Sequence, residues 1–370
     1  MNEREWPDPA ASAKGPRVLI AGGGTGGHAI PALCVADSLR EKGAVVEFVG
    51  SEAGIERDLV PRAGFPLHSL PLEGFAGGPL ARARAALLFA GALVRCRRLI
   101  RELRPSAVLG VGGYASAPAV VAANALKTPT FLHEQNSVPG RVNRFASRLT
   151  TEILVTFPAA REHLKDAVWV GMPTRKELFG ASREEALHYL GLEPPVVLIF
   201  GGSGGALKIN LAAAEAFGGS TPYTVVQISG RRDFARLSTG NPRHLILEYA
   251  DDIWRYLAAA DVVVSRAGAG SLFDTAAVGR AAILVPFPYA TGDHQLHNAR
   301  YFTEKGAAEM LLDSEVTAAA LRERVEGLLH DDDRREELAG RMRSLATPRA
   351  ADEVAGRLLR VAAREKERGP

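Results

Sequence analysis

Two glycine-rich segments of this chain each follow a short run of apolar residues. RVLIA (17–21) leads into GGGTGGH (22–28), and PVVLIF (195–200) leads into GGSGGA (201–206). A glycine turn between a strand and a helix lets backbone N–H groups approach a ligand, and the helix N-terminus favours negative charge. Both segments therefore predict phosphate-binding turns, and the presence of two indicates a ligand held between two domains.

Each glycine segment also matches a different short motif. The first fits G-x-G-x-x-G with Glu47 twenty residues later, as in nicotinamide dinucleotide-binding proteins. The second fits the G-x-S-x-G turn of hydrolases, with Asp274 and His294 following in the required order. Neither motif explains both segments. The hydrolase match is of a kind that arises often by chance in glycine-rich turns. A nicotinamide-dependent Rossmann oxidoreductase and a non-catalytic sugar-nucleotide-binding or membrane-adaptor subunit stay open as alternatives to a sugar-nucleotide enzyme.

His28 is the candidate general base. It lies near the N-terminus of the helix that the first glycine segment opens. The positive end of a helix disfavours a charged imidazolium, so the ring would stay neutral and able to accept a proton near pH 7. A histidine with a purely structural capping role is the alternative.

Three polar clusters follow predicted strands, where α/β sheets place their ligands. HEQN (133–136) offers four hydrogen-bonding side chains for the hydroxyls of a sugar, unless it is an ordinary polar turn. SRAGAGS (265–271) forms a third small-residue turn into a helix, and Asp274 a turn later either binds a ribose diol or is a solvated acid. DHQLHNA (293–299) contains two histidines without a third nearby ligand, so no metal site is expected.

The elements that must position these residues alternate between strand and helix, which predicts an α/β fold with doubly wound parallel sheets. The predicted strands are 17–21, 45–49, 107–111, 128–132, 152–155, 195–200, 224–228, 244–247, 261–265 and 281–285. A helix is predicted from about 30 to 41, and a final helix follows the Thr-Pro pair at 347–348. Glycine and proline interrupt the pattern in 168–176, which is the predicted linker.

Composition is that of an ordinary globular protein. Hydrophobic residues make up 46% and charged residues 24%, and a length of 370 residues predicts two domains. The two cysteines, Cys34 and Cys96, have no metal-site or disulfide spacing, which fits a reducing compartment. Residues 1–15 are polar and contain proline, so they predict a disordered lead-in and not a signal peptide.

Seven ordered motifs resemble the MurG family of N-acetylglucosaminyltransferases. They are GGGTGGH, GVGGYASAP (110–118), HEQN, the segment 171–175, GGSGGA, SRAG and DHQ-x-x-NA, and the likeness runs from about Arg17 to Val361. The resemblance implies a GT-B fold, in which two Rossmann-like domains face a cleft and the C-terminal helix crosses back to the first domain. The implied domains are 16–170 with helix 348–367 for the acceptor and membrane side, and 171–347 for UDP-N-acetylglucosamine (UDP-GlcNAc).

The implied reaction is an inverting transfer of GlcNAc that needs neither a metal nor another cofactor. The donor is UDP-GlcNAc, and the acceptor is the C4 hydroxyl of MurNAc in undecaprenyl-pyrophosphoryl-MurNAc-pentapeptide. The product completes the lipid-linked precursor of peptidoglycan.

The resemblance further implies a donor site. Asn136 and Gln295 would contact the GlcNAc hydroxyls, and Arg175 and Ser203 would hold the diphosphate. The N-terminus of the helix after SRAG would assist the diphosphate contacts. Its first residues are Ala269, Gly270 and Ser271.

The nucleoside end of the donor would meet two further positions. Asp274 would bind the ribose, and the main chain near Ala250 would contact the uracil. Asp274 is one methylene shorter than the glutamate usual in the family. Gly204 and Met172 replace the usual glutamine and asparagine, so contacts made by those side chains would be absent.

On the acceptor side, the resemblance places the first glycine segment against the reacting sugar. Thr25, Gly26 and Gly27 would also contact the acceptor pyrophosphate. His28 would be the base, with Glu134 as the second candidate for that role.

A basic segment indicates a membrane surface. Seven arginines and one acid lie between Arg82 and Arg104, although the net charge is only +3. The apolar stretch 85–94 within it is about half the length that spans a bilayer. Such a segment is typical of a surface that sits on anionic lipid, with a buried helix that exposes a basic side as the alternative. We expect peripheral binding to the cytoplasmic face of the inner membrane. We expect no nucleic acid partner.

Overall fold

The structure, a computed structural model, describes residues 15–72, 78–202 and 204–368, with side chains as far as residue 363. The chain divides into two compact units. The first comprises Met1–Pro173 and Arg349–Pro370, and the second comprises Thr174–Pro348. Of the predicted lead-in 1–15, all but Gly15 lies outside the described residues.

The first unit is built on a parallel sheet with the strand order β3-β2-β1-β4-β5-β6-β7. The strands are β1 (Arg17–Ala21), β2 (Val45–Ser51), β3 (Leu67–Leu70), β4 (Ala107–Gly110), β5 (Thr130–Glu134), β6 (Glu152–Val155) and β7 (Val168–Trp169). The central strands are buried along nearly their whole length. Burial on both faces explains why they read as continuous apolar runs.

Helices connect these strands and cover the sheet. They are α1 (Gly26–Glu41), α2 (Glu56–Arg62), α3 (Pro79–Leu103), α4 (Ser116–Ala125) and α5 (Arg141–Ala146). The strand order reverses between β1 and β4, which are neighbours with Ala21 opposite Gly110. The turns that follow these two strands therefore begin side by side, at the position where doubly wound sheets bind ligands.

The second unit repeats the arrangement with the order β10-β9-β8-β11-β12-β13, again parallel throughout. Its strands are β8 (Val196–Phe200), β9 (Thr224–Ile228), β10 (His244–Leu247), β11 (Val262–Ser265), β12 (Ala281–Leu284) and β13 (Glu309–Met310). Its helices are α6 (Lys176–Phe179), α7 (Arg183–Leu190), α8 (Leu207–Phe217), α9 (Ile253–Ala259), α10 (Ala269–Val278), α11 (His294–Thr303), α12 (Ala318–His330) and α13 (Asp332–Ser344). Phe200 lies opposite Ser265, so the GGSGGA and SRAG turns start next to each other.

The last helix, α14 (Ala350–Arg368), belongs to the first unit and packs on α1. Val354 and Leu358 are fully buried in the core of that unit. Asp352 accepts a hydrogen bond from the Ser38 hydroxyl (2.6 Å) and pairs with Lys42 (2.5 Å). The predicted fold of two doubly wound α/β units, with the C-terminal helix returning to the first, is confirmed.

Some predicted boundaries were wrong. The short strands β3, β7 and β13 were not predicted, and β7 occupies the start of the predicted linker 168–176. The strand predicted at 128–132 lies at Thr130–Glu134, so His133 and Glu134 are its last residues and do not lie in the following turn.

Candidate functional site

His28 lies at the ligand-binding edge of the first sheet. It is the third residue of α1, after Gly26 and Gly27, and its side chain is half-buried. Thr25, at the N-cap position, places its hydroxyl 3.1 Å from His28 Nδ1. The hydroxyl thereby orients the imidazole at the helix N-terminus.

The turn after β4 supplies the surface under the His28 ring. A Cβ built on Gly112 would lie 3.0 Å from His28 Nε2, and the φ of Gly112 is +93°. Glycine at this position thus meets two requirements, a left-handed backbone and close approach of the imidazole. The GVGGYASAP motif therefore contributes directly to the placement of His28.

Glu134 is buried at the end of β5 and accepts hydrogen bonds on both carboxylate oxygens. Oε1 accepts from the backbone N–H of Asn136 (2.9 Å) and from its side-chain amide (3.4 Å). Oε2 accepts from the Asn143 side chain (2.8 Å) and the Gly140 N–H (3.1 Å). Burial raises the pKa of Glu134, while these hydrogen bonds lower it. The carboxylate is arranged to hold Asn136 and the loop to Gly140.

His133 belongs to a buried network behind this site. Its Nε2 donates to the Gly171 carbonyl (3.1 Å), so Nδ1 is the acceptor for the Gln135 amide (3.2 Å). The same amide donates to the Val111 carbonyl (3.0 Å). The network joins the end of β5 to the turn after β4 and to the segment at Gly171.

Acid should weaken the first unit through His133. Burial lowers its pKa from 6.5 to about 4, the hydrogen bond to Gly171 raises it, and the charge of His28 lowers it. Between pH 6.5 and 4, therefore, the unfolded chain takes up a proton that the folded chain does not. We expect the free energy of unfolding to fall by up to about 3 kcal/mol over this interval.

Urea unfolding at several pH values, followed by Trp169 fluorescence in a variant with Trp6 and Trp254 replaced by Phe, measures this dependence. Trp169 reports on the first unit because its indole N–H donates to the Thr156 carbonyl (2.9 Å). His133→Gln should flatten the dependence, whereas the same change at the exposed His163 should not. Equal pH slopes in both variants would refute this role of His133.

In the second unit the structure brings together Arg175 and Asp274. Arg175 precedes α6, and its guanidinium Nη1 lies 3.5 Å from the carboxylate of Asp274, on α10. Burial raises the pKa of Asp274 to about 6, and the charge of Arg175 lowers it. Arg175 and Asp274, the residues predicted to bind the diphosphate and the ribose, are therefore neighbours.

Gln295 is held by the loop after β12. It is the second residue of α11, and its Oε1 accepts the backbone N–H of Phe287 (3.0 Å). Asp293, just before the helix, has a φ of +53°. Buried Arg266 fixes the same loop, because it donates to the Val285 and Pro286 carbonyls.

The remaining predicted donor residues lie at strand ends or helix starts of the second unit. Ala269, Gly270 and Ser271 form the first turn of α10, whose N-terminus follows the buried strand β11. Ala250 lies in the loop between β10 and α9. Ser203 lies outside the described residues.

The residues required by the two competing motifs have other partners. Glu47 is the third residue of β2 and not its end, and it pairs with Arg17 (3.3 Å) and His68 (2.7 Å). His294 Nδ1 lies 2.9 Å from the Thr291 carbonyl, while Asp274 faces Arg175. These contacts support neither a ribose-binding Glu47 nor a hydrolase relay.

Several polar residues that shape the site were not predicted. In the first unit, Glu56 accepts a hydrogen bond from the Gly24 N–H, and Asn143 donates one to Glu134. In the second unit, the Asn298 side chain donates to the Ala267 carbonyl (3.2 Å). Asn210 reaches the Ser229 carbonyl (2.8 Å) behind the GGSGGA turn. Asn298 belongs to the DHQ-x-x-NA motif, but its partner Ala267 is 31 residues away, and Glu56 and Gly24 are 32 residues apart.

Within residues 15–72, 78–202 and 204–368, no group of three or more His, Cys, Asp or Glu side chains could hold a metal ion. Across the same residues, no helix is both long and apolar enough to cross a membrane.

The profile of the glycosyltransferase family 28 N-terminal domain matches residues 18–155, and that of the C-terminal domain matches residues 196–354. The UDP-N-acetylglucosamine–N-acetylmuramyl-(pentapeptide) pyrophosphoryl-undecaprenol N-acetylglucosamine transferase of Rubrobacter xylanophilus is 70% identical over 328 residues, covering 88% of this chain and 98% of the relative. The enzyme of the same name from Desulforudis audaxviator is 37% identical, with 91% and 96% covered.

A solved structure, the MurG of Acinetobacter baumannii, superposes with a TM-score of 0.73 at 28% identity, over 93% of this chain and 99% of that one. This similarity confirms the GT-B assignment. The chain belongs to the UDP-N-acetylglucosamine–N-acetylmuramyl-(pentapeptide) pyrophosphoryl-undecaprenol N-acetylglucosamine transferases of glycosyltransferase family 28.

Proposed function

We propose that this enzyme transfers GlcNAc from UDP-GlcNAc to the C4 hydroxyl of MurNAc in undecaprenyl-pyrophosphoryl-MurNAc-pentapeptide. The observation that carries the proposal is the 70% identity to a transferase of that name across 98% of its length. The second unit binds the donor, and the first binds the acceptor and supplies the base.

The donor site must stabilise the negative charge that grows on UDP as the glycosidic bond breaks. The N-terminus of α10 offers backbone N–H groups, and Arg175 offers a guanidinium next to Asp274. Fixed donors of this kind act without reorganisation as the charge develops. Since Gln295 Oε1 accepts the Phe287 N–H, its amide N–H₂ is the part that donates to a sugar hydroxyl.

In the acceptor site, His28 removes the proton from the C4 hydroxyl as the bond to the sugar forms. Its ring is oriented by Thr25 and by the close approach to Gly112. Glu134 is less suited to this step, because both of its oxygens already accept hydrogen bonds. We assign Glu134 to positioning Asn136.

UDP release tests the proposal. The enzyme should release UDP from UDP-GlcNAc only when a short-chain analogue of the lipid-linked acceptor is added, and more slowly from UDP-GalNAc. No release from either donor, or equal release without an acceptor, would exclude this function.

The exposed side of α3 supports peripheral membrane binding. Leu80, Leu87 and Val94 are 87%, 76% and 70% exposed and lie seven residues apart, on one helix face. Val94 also lines a surface depression with three arginines, Arg97, Arg98 and Arg101. The opposite face carries the buried residues of the helix, which packs on α4. The helix is therefore buried on one side and both apolar and basic on the other.

Vesicle co-sedimentation measures this binding. Replacing Leu87 and Val94 by Glu should weaken binding to phosphatidylglycerol vesicles by about tenfold or more, because each apolar side chain contributes about 1.5–3 kcal/mol when buried. Added salt should weaken it further, since an arginine near anionic lipid contributes about 1 kcal/mol. Leu211→Glu, at an exposed position in the second unit, is the control. Equal binding by all variants would contradict the membrane assignment.

A further inference from the structure

A buried carboxylate lies directly against the first glycine turn. Glu56 begins α2 and is 1% exposed. Its Oε2 accepts the Gly24 N–H (2.6 Å), and its Oε1 accepts the Ser51 N–H at the end of β2 (2.8 Å). One side chain thus ties the glycine turn to the neighbouring strand.

The surrounding chain leaves room for this carboxylate by omitting side chains. A Cβ on Gly23 would lie 2.2 Å from Glu56 Cδ, and one on Gly54 would lie 2.1 Å from Oε2. A Cβ on Gly50 would lie 2.6 Å from Glu56 Cγ. No residue with a Cβ fits at these three positions unless Glu56 moves. The three glycines are therefore needed to accommodate the Glu56 side chain, in addition to any role in binding a ligand.

The carboxylate changes what the turn can bind. The Gly24 N–H already donates to Glu56, and a second anion at that point would meet a like charge. Gly26 and Gly27 are the first two residues of α1 after Thr25, and their N–H groups lie at the positive end of the helix. An anion is therefore favoured at the helix start and disfavoured at Gly24.

We propose that Glu56 is a positioning residue for the acceptor site. Its carboxylate fixes Gly24 so that Thr25 and His28 are held in place, and it directs the acceptor pyrophosphate to the N-terminus of α1. The inference rests on the proposed transferase function, since it assigns the pyrophosphate of that acceptor to this unit.

Glu56→Gln removes the charge and turns an amide N–H₂ toward one of the two backbone N–H donors. We expect kcat/KM for the acceptor analogue to fall about tenfold or more, the usual effect of losing a hydrogen bond to a charged group. The KM for UDP-GlcNAc should stay unchanged. Asp58→Asn is the matched control, because it removes the same charge from an exposed position of the same helix.

Amide hydrogen exchange separates positioning from general loss of structure. Exchange at Gly24 and Ser51 should accelerate in Glu56→Gln and not in Asp58→Asn. A smaller folded fraction would lower kcat alone, whereas a displaced turn alters the acceptor KM as well. Should Glu56→Gln fail to fold, Glu56→Asp, which keeps the charge with a shorter reach, should show the same pattern to a lesser degree.

Two failures are distinguishable. An unmodified enzyme that releases no UDP would overturn the proposed function and this inference with it. An active enzyme whose folded Glu56 variants keep the acceptor kinetics of Asp58→Asn would overturn this inference alone.

Discussion

Replacing His28 by Ala is expected to lower kcat by about 10²- to 10⁴-fold, the usual contribution of a general base. Neither the fold nor UDP-GlcNAc binding should change, because the side chain is half-buried beside Gly112 and lies in the first unit. Acceptor-dependent UDP release gives the rate, and calorimetric titration with UDP gives the donor affinity.

A matched histidine variant separates the loss of the proposed base from the loss of any other imidazole of the first unit. His163→Ala, at an exposed position of the same unit, should behave as the unmodified enzyme. If His28→Ala kept full activity, His28 would not be the general base, and Glu134→Gln would be the next variant to examine.

Arg175→Ala is expected to lower kcat by about 10²- to 10³-fold, equivalent to about 2.7–4 kcal/mol of lost transition-state stabilisation. Arg175 is the guanidinium beside Asp274, and it is proposed to stabilise the charge that grows on the leaving UDP. Single-turnover kinetics at saturating UDP-GlcNAc measures this loss on the chemical step.

The same variant should alter the titration of Asp274. Burial raises the pKa of Asp274 to about 6 and Arg175 lowers it, so the pKa should rise further once Arg175 is gone. The pH at which UDP affinity changes should then be higher for Arg175→Ala than for the unmodified enzyme. Asp274→Asn should remove this pH dependence. Arg236→Ala, exposed in the same unit, is the control for lost charge. Unchanged kcat in Arg175→Ala would remove this arginine from the reaction.

The fold was predictable where burial on both faces forces a continuous apolar strand. PVVLIF ends at Phe200 as predicted, and β6, β9 and β10 have the predicted bounds. The missed strands are short and lie toward the sheet edges, where Leu67–Leu70 includes His and Ser and Glu309–Met310 has only two residues. Such strands lack both the length and the pattern that identify a strand from sequence.

The sequence predicted the residues of the candidate site that lie within its motifs. His28 and the start of α10 lie at strand ends because glycine turns mark those ends. Glu56 was missed because its partner Gly24 is 32 residues away, and only the folded sheet brings β2 beside β1. The roles of Glu134 and Asn143 likewise depend on how the loop after β5 folds back, which no local pattern specifies.

In the proposed reaction, the second unit binds the donor, and the first binds the acceptor and holds the base. Amide hydrogen exchange with each ligand alone tests it most directly, because bound segments become protected. UDP should slow exchange at residues 268–274 and around Gln295, and the acceptor analogue should slow it at residues 24–28 and 134–140. Protection of residues 22–28 by UDP, with none in the second unit, would show that the donor does not bind where we propose.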